Sequence, residues 1–439
     1  MLRIGSGAGF AGDRLDPAVR LAEQGNLNYL VLECLAERTI ALAQRRKLQN
    51  PATGYDSLLE RRIAPLLPVI KKQRVRLITN MGAANPLAAA DKIVELACQL
   101  QVPVKVAAVT GDDVADWIDP EQRVLESGKP ISAYAPVISA NAYLGAEALL
   151  PALESGADII VTGRVADPSL FLAPMIHHYR WRLDDFTRLA QGTVVGHLLE
   201  CAGQLTGGYF ADPGVKDIPN MADLGFPYAD VDEDGRATIS KLEGTGGAIT
   251  LATAREQLLY EVTDPLAYHT PDVIVDFSGI QLREVGPDRI EVFGARGREK
   301  PPTLKVSIGY RAGFRGEAEI SYAGHNAQGR AELAGEIVRE RLRQEVGEVR
   351  IDYIGSTSTH RKSFTPDVVP YEVRMRAAAL TPTPELAARI GEEVEALYTN
   401  GPAGGGGVRR SVNEVIGIVS TLIPREKVAT QVTIRELVP

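Results

Sequence analysis

Asn28-Tyr29-Leu30-Val31-Leu32-Glu33 decides the fold: four consecutive apolar residues, with no polar alternation, closed by one carboxylate. A strand wetted on one face alternates apolar and polar side chains, whereas a strand covered on both faces does not. The run therefore predicts a strand inside a parallel sheet. Residues 75–79, 104–109 and 157–162 repeat the pattern. Between these runs, residues 17–24, 58–72, 86–100 and 142–154 show apolar residues at helical spacing, with Asn85-Pro86 and Asn141 as N-terminal boundaries. Strand and helix alternate as βαβ units. The expected fold is α/β, with a Rossmann-like wound parallel sheet in a first domain over residues 1–215.

The rhythm breaks at residues 207–237 into Gly, Pro and Asp, long enough for a binding loop or an interdomain crossing. Residues 216–439 read as an α+β domain with ferredoxin-like βαβ elements. A helix is expected over 248–260, then strands at 273–277, 289–293, 304–310 and 316–322. A helix at 327–344 and a strand at 349–354 follow. A second group has a strand at 371–377, a helix at 384–398, a glycine-rich loop at 401–407, a helical or mixed segment and a strand at 430–437.

With 439 residues, 45% hydrophobic and 24% charged, the chain can bury a large core. A net charge of -8 argues against broad nucleic-acid binding, which needs clustered cations to displace counterions from phosphates. Cys34, Cys98 and Cys201 lie far apart, which excludes a disulfide framework and a paired CxxC zinc signature and fits a reducing compartment. The first residues read as a strand entering a glycine loop rather than a secretory leader, and no apolar run approaches the roughly 18 residues needed to span a bilayer. The expectation is a cytoplasmic protein with no nucleic-acid or membrane partner.

In wound sheets, ligand groups collect beyond the carboxyl ends of the strands. Glu33, Asn80, Asp112, Arg164 and Asp167 fall at such ends. Each also has a local reading: Asn80 and Asp112 as helix caps, Arg164 with Asp167 as a structural ion pair. Asn141 joins them as a binding candidate. Farther on, His197, Glu200, Cys201 and Gln204 fall at i, i+3, i+4 and i+7 and share one helical face, opposite the apolar Val194, Leu198, Ala202 and Leu205. That stripe either lines a site or is a buried polar seam whose groups satisfy one another. Glu33 and His197 are the proton-transfer candidates, with Glu200 beside them. A helical Cys201 next to Glu200 resists thiolate formation. His197 and Cys201 are spaced for zinc, but no third ligand is dictated, so no metal is assigned.

Three glycine clusters complete the inventory. Gly7-Ala8-Gly9-Phe10-Ala11-Gly12 matches GxGxxG, yet Asp13 behind it would repel a phosphate. Nicotinamide binding and a tight loop bringing the Gly7 backbone near another ligand both stay open. Glu243-Gly244-Thr245-Gly246-Gly247 leads into a helix whose free amides would hold a carboxylate or phosphate. Gly404-Gly405-Gly406-Gly407, ahead of Arg409 and Arg410, suits an anion nest, a mobile loop or a subunit contact.

Arg3-Ile4-Gly5-Ser6-Gly7-Ala8-Gly9-Phe10, Gly156-Ala157-Asp158-Ile159-Ile160-Val161-Thr162-Gly163-Arg164-Val165-Ala166-Asp167, Gly196-His197-Leu198-Leu199-Glu200-Cys201-Ala202-Gly203-Gln204-Leu205-Thr206-Gly207-Gly208 and residues 401–407 together resemble the acyclic terpene utilisation AtuA family. The resemblance spans nearly the whole chain. It implies catabolism of branched or carboxylated compounds, often as coenzyme A thioesters, and carries neither a catalytic triad nor a cofactor to these positions. Longer relatives add a small C-terminal ferredoxin-like domain, so a separately encoded small subunit is expected, along with homo-oligomerisation. The preferred reading is a lyase or hydratase acting on a small branched carboxylic acid or acyl-CoA. The alternative is a noncatalytic ligand-binding or assembly subunit of a multi-protein catabolic complex.

Overall fold

The apolar runs form strands buried on both faces. In the computed structural model, which describes residues 1–134, 136–360 and 369–437, β1 (Leu2–Ala8), β2 (Tyr29–Leu32), β3 (Arg76–Thr79), β4 (Val104–Thr110) and β6 (Ile159–Thr162) run parallel. Alternate residues of each strand feed two apolar layers. Tyr29 and Val31 join Ile78, Ala107 and Ile160 on one side, while Leu30 and Leu32 join Leu77, Val106 and Ile159 on the other. Helices α1 (Asp16–Gln24), α3 (Leu59–Gln73) and α4 (Pro86–Gln99) supply the second layer; α5 (Leu150–Glu154), α6 (Asp167–Tyr179) and α7 (Phe186–Leu199) supply the first. Asn85 caps α4 by accepting from the Ala88 amide at 3.4 Å. Helix α2 (Glu37–Gln49) follows β2 and was not anticipated.

The ten-stranded sheet is mixed, in the order β11-β12-β8-β7-β1-β2-β3-β6-β4-β18. On one flank, β7 (Pro227–Val231), β8 (Ala237–Lys241), β11 (Gln281–Gly286) and β12 (Arg289–Phe293) pair antiparallel. On the other, β18 (Gln431–Leu437) pairs antiparallel with β4. The parallel core advances β1-β2-β3 and then admits β6 ahead of β4, which differs from the expected Rossmann-like winding outward from a central strand. The remaining elements here are β5 (Val137–Ala142), α8 (Leu251–Leu259) and a small sheet of β9 (Tyr268–His269), β10 (Ile274–Asp276) and β13 (Arg296–Arg298). Asn141 lies within β5 rather than capping a helix, and the helical turn ahead of α5 starts only at Ala146. Among the described residues, no helix is long and apolar enough to cross a membrane.

A division after residue 215 does not match the compact units. The first takes Met1–Ala133, Val137–Gly309 and Ile418–Pro439; the second takes Tyr134–Pro136 and Tyr310–Gly417. The reason is pairing: β7, β8, β11, β12 and β18 all extend the sheet begun by β1, so later sequence belongs to the first unit.

The second unit is a βαββαβ arrangement. Strand β14 (Thr303–Ala323), α9 (Ala327–Leu342), β15 (Arg350–Ile354), β16 (Glu372–Thr381), α10 (Pro384–Asn400) and β17 (Gly406–Pro424) give the sheet order β15-β16-β14-β17, the ferredoxin-like topology. Ala318, Ile320, Tyr322, Val373 and Met375 pack against Ala331, Ala334, Val338, Ile390 and Val394 of the helices. Their neighbours along the strands are charged and pair across the sheet: Arg374 Nη1 with Glu319 Oε2 at 3.3 Å, and Arg376 Nη2 with Asp352 Oδ2 at 2.7 Å. The two strands expected at 304–310 and 316–322 are one continuous strand, Thr303–Ala323, whose pairing with β16 begins at Phe314, just past Gly313. The mixed segment after the glycine loop is also strand.

Candidate active site

A cavity of about 920 Å³ opens in the first unit at the carboxyl ends of β2 and β6. Its lining mixes the apolar Leu35, Pro168, Pro271, Pro301, Pro302 and Leu422 with the charged Glu33, Glu37, Arg164, Asp167, Glu200 and Lys305. Glu33 sits immediately beyond β2. Its Oε1 accepts from the Leu35 amide at 2.8 Å and from Asn80 Nδ2 at 2.9 Å. Asn80, fully buried beyond β3, accepts the Cys34 amide through its own Oδ1 at 2.7 Å, which fixes the orientation of its amide. Burial pushes the Glu33 carboxyl well up and the Asp167 carboxylate adds to this, against the opposing pull of Arg164 and its two donors.

Arg164 is 1% exposed and largely committed to the protein. Its Nε and Nη2 donate to the Val165 carbonyl at 3.1 and 2.6 Å, Nη1 donates to the Leu35 carbonyl, and Nη2 also pairs with Asp167 Oδ1. A guanidinium has five N–H groups, so little donor capacity is left for a ligand. Its charge is the larger asset. Burial would lower its affinity for the proton, but Asp167, Tyr143, Glu33 and Glu37 outweigh that and keep it protonated. The Tyr143 ring lies 4.6 Å from Arg164 Cζ and 4.9 Å from Lys305 Nζ. The Tyr143 hydroxyl donates to Glu37 Oε1, which also pairs with Lys305 Nζ at 3.3 Å. Burial would raise the Glu37 carboxyl, but the Tyr143 hydroxyl, the backbone at the start of α2, Lys305 and Arg164 hold it down at about 2.

Glu200 and His197 form a second cluster. Helix α7, capped by Asp185 accepting from the Arg188 amide at 3.2 Å, ends at Leu199, so Glu200 and Cys201 lie just past its last turn. Glu200 and Cys201 line the cavity, while His197, 1% exposed, stands behind Glu200. His197 Nδ1 is 2.8 Å from Glu200 Oε1, and Tyr268 and Phe277 box the imidazole with ring centroids at 5.5 and 5.9 Å. Burial raises the Glu200 carboxyl to about 7, with Asp167 and Glu261 adding repulsion and His197 opposing. Burial pushes the Cys201 thiol up as well, and Glu200 adds to it, so Cys201 stays a thiol.

The other expected binding residues lie elsewhere. Asp112 and Asn141 stand behind Arg164: Asp112 Oδ2 accepts from the Arg164 amide and from Asn141 Nδ2, both at 2.9 Å. They set its backbone and are absent from the cavity lining. Gly7 is inside β1, its missing side chain leaving room for Leu30 and Ala18. In the GxGxxG stretch the Gly9 amide is already taken, donating to Asp13 Oδ2 at 2.9 Å, and Arg62 ties down the Ala11 and Asp13 carbonyls at 3.0 and 2.7 Å. Gly246 packs against residues 220–223, and the amides of Gly246, Gly247 and Ala248 donate to Asp223, Pro219 and Thr206 carbonyls, so the glycine stretch, which lies ahead of α8 rather than opening it, offers no anion nest. Gly405 packs on Ile320 and Tyr322 of the second unit.

Sequence reading missed Glu37, Tyr143, Lys305, Glu261 and Tyr268. Glu37 had a signal: it opens a helix in the same strand-end loop as Glu33. Lys305 had none, because its place depends on β14 pairing with β5, where the Tyr143 amide donates to the Lys305 carbonyl at 2.9 Å. Among the described residues, no group of three or more His, Cys, Asp or Glu is arranged to hold a metal ion. Comparison with known proteins finds a match to the family described as acyclic terpene utilisation family protein AtuA over residues 2–434. No curated protein and no solved structure matches.

Proposed function

The chain belongs to the acyclic terpene utilisation AtuA family, and on that premise we propose that it is a catabolic lyase or hydratase acting on a small branched carboxylic acid or its acyl thioester. One observation carries the reading: two buried carboxyls of unlike environment, Glu33 and Glu200, line a single cavity that also has apolar lining residues. Adding or removing water across a carbon–carbon bond needs a group that holds a proton at neutral pH and another able to accept one. Glu33, pushed well up by burial, is the acid; Glu200, raised to about 7 and paired with His197, is the base. The cations Arg164 and Lys305 would stabilise negative charge that develops on a carbonyl oxygen. The apolar lining residues would take the branched chain.

The test is turnover and solvent-deuterium incorporation with a panel of branched short-chain acyl-CoA thioesters and the corresponding free acids. Glu33→Gln and Glu200→Gln should each lower the rate by about 10²–10⁴-fold, the span of general acid–base catalysis, while binding persists. Undiminished exchange in both variants would refute these roles for Glu33 and Glu200, whereas binding without turnover by the wild type across the panel would favour a noncatalytic ligand-binding subunit instead.

A further inference from the structure

Hydrogen-bond chemistry fixes where the protons of the His197–Glu200 pair reside. His197 Nε2 lies 3.2 Å from the Leu258 carbonyl oxygen. A carbonyl only accepts, so Nε2 bears the hydrogen. Nδ1 is then the nitrogen facing Glu200 Oε1 at 2.8 Å. A single proton occupies that contact, on Oε1 with both groups neutral or on Nδ1 with both charged. The ring is held in place by Tyr268 and Phe277, which pack against it. Glu200 lines the cavity, its Oε1 is committed to the ring, and its Oε2 is buried with no partner among the described residues. Oε2 is the oxygen left for a ligand.

We propose that Glu200 and His197 act as a proton relay that accepts a proton from the ligand at Oε2 and stores one at Nδ1. Glu200 is the catalytic residue and His197 a positioning and proton-holding residue that never touches the ligand. The proposal rests on the acid–base reading above. In the step, a ligand C–H bond breaks and its electron pair stays on the ligand as an enolate. An O–H bond forms at Oε2, the O–H bond at Oε1 breaks, and an N–H bond forms at Nδ1. The products are the enolate, a neutral Glu200 and an imidazolium. Asp167 and Glu261, the carboxylates that act on the pair, favour the positive charge, while Cys201 and Tyr268 beside it stay protonated.

The relay is tested on the full chain without any ligand, by imidazole nitrogen NMR of protein labelled with ¹⁵N-histidine. His197 should keep its hydrogen on Nε2 at every pH at which the chain is folded. Its Nδ1 resonance should move with pH through neutrality and stop moving in Glu200→Gln, whose neutral amide donates to Nδ1. A hydrogen on Nδ1 with Nε2 bare, or an Nδ1 titration unchanged by Glu200→Gln, overturns the relay. Should that variant not fold, ¹³C-carboxyl NMR of the wild type decides: Glu200 and Nδ1 should titrate with one midpoint, and separate midpoints overturn the proposal. The two readings fail differently. An absent relay with Glu200→Gln still inactive refutes the relay alone, whereas an intact relay with no turnover of any thioester or acid refutes the enzyme.

Discussion

Asp112 offers a sharp test of how burial controls this protein, because Asn can replace it with little change of shape. Its carboxyl is 4% exposed, and burial raises it from 3.8 to about 6 against the opposing donors, the Arg164 amide and Asn141. Below 3.8 both folded and unfolded chains hold the proton. As pH rises, the unfolded chain releases its proton first, so stability falls until the folded-state value near 6 is passed, and then levels. Moving from 3.8 to about 6 corresponds to about 3 kcal/mol over the whole window, of which about 2 kcal/mol falls between about pH 4.5 and about pH 7. Asp112→Asn has no proton to lose, so its stability relative to the wild type should rise by that amount over the same interval. Urea unfolding followed by tryptophan fluorescence measures this in the right place, since Trp117 and the buried Trp181, the chain's two tryptophans, both belong to the first unit. If wild type and Asp112→Asn track in parallel from about pH 4.5 to about pH 7, the reasoning about this carboxyl is wrong.

Two further substitutions probe the walls of the site. In Gly9→Ala the new Cβ would come within 2.7 Å of Cys201 Cα and O, which are backbone, whereas in Gly12→Ala the neighbour at that distance is the exposed Phe10 ring. The first should cost about 1–3 kcal/mol in thermal unfolding and weaken ligand binding at the displaced Phe10-Ala11 rim, the second much less; equal tolerance of both would contradict this placement of the loop. Asn80→Ala leaves the Cys34 amide without an acceptor and strips a donor from Glu33, so urea unfolding should show a loss of about 1–3 kcal/mol. The same variant should move the Glu33 carboxyl still higher by ¹³C NMR titration, and a downward move would count against the assigned hydrogen bond.

What was legible in the sequence is what depends on near neighbours. Tyr29 to Leu32 is apolar at every position because each successive side chain meets a different core, and that requirement is written locally. Glu33 and Arg164 stood out for the same reason, as polar residues directly after such runs. The rank of β6 between β3 and β4 was not legible, since strand order is decided by pairing between distant segments. Lys305 and Tyr143 became neighbours only through such a pairing. The polar stripe on α7 was visible, but helical spacing cannot tell a wet face from a buried one, and the helix stops at Leu199 before reaching Glu200. The glycine clusters misled in one consistent way: a glycine admits close backbone approach, and here the approaching backbone is the protein's own, as at Gly246 beside Asn220 and Asp223.

The pairing of β18 with β4 bears on the order of events during synthesis. Seven residues, from Gln431↔Thr110 to Leu437↔Val104, zip along that edge. The partners Thr110 and Gln431 are 321 positions apart, and the whole of the second unit is made between them. At ribosomal speeds of about 5–20 residues per second, the β4 edge waits for roughly 15 seconds to a minute with its backbone groups unpaired. The strand that waits is Val104-Lys105-Val106-Ala107-Ala108-Val109-Thr110, apolar at nearly every position and therefore adhesive toward any other nascent strand. Newborn chains are thus most exposed to mispairing at a place that the finished protein conceals, and the ferredoxin-like unit, complete by Gly417, is free to fold while they wait.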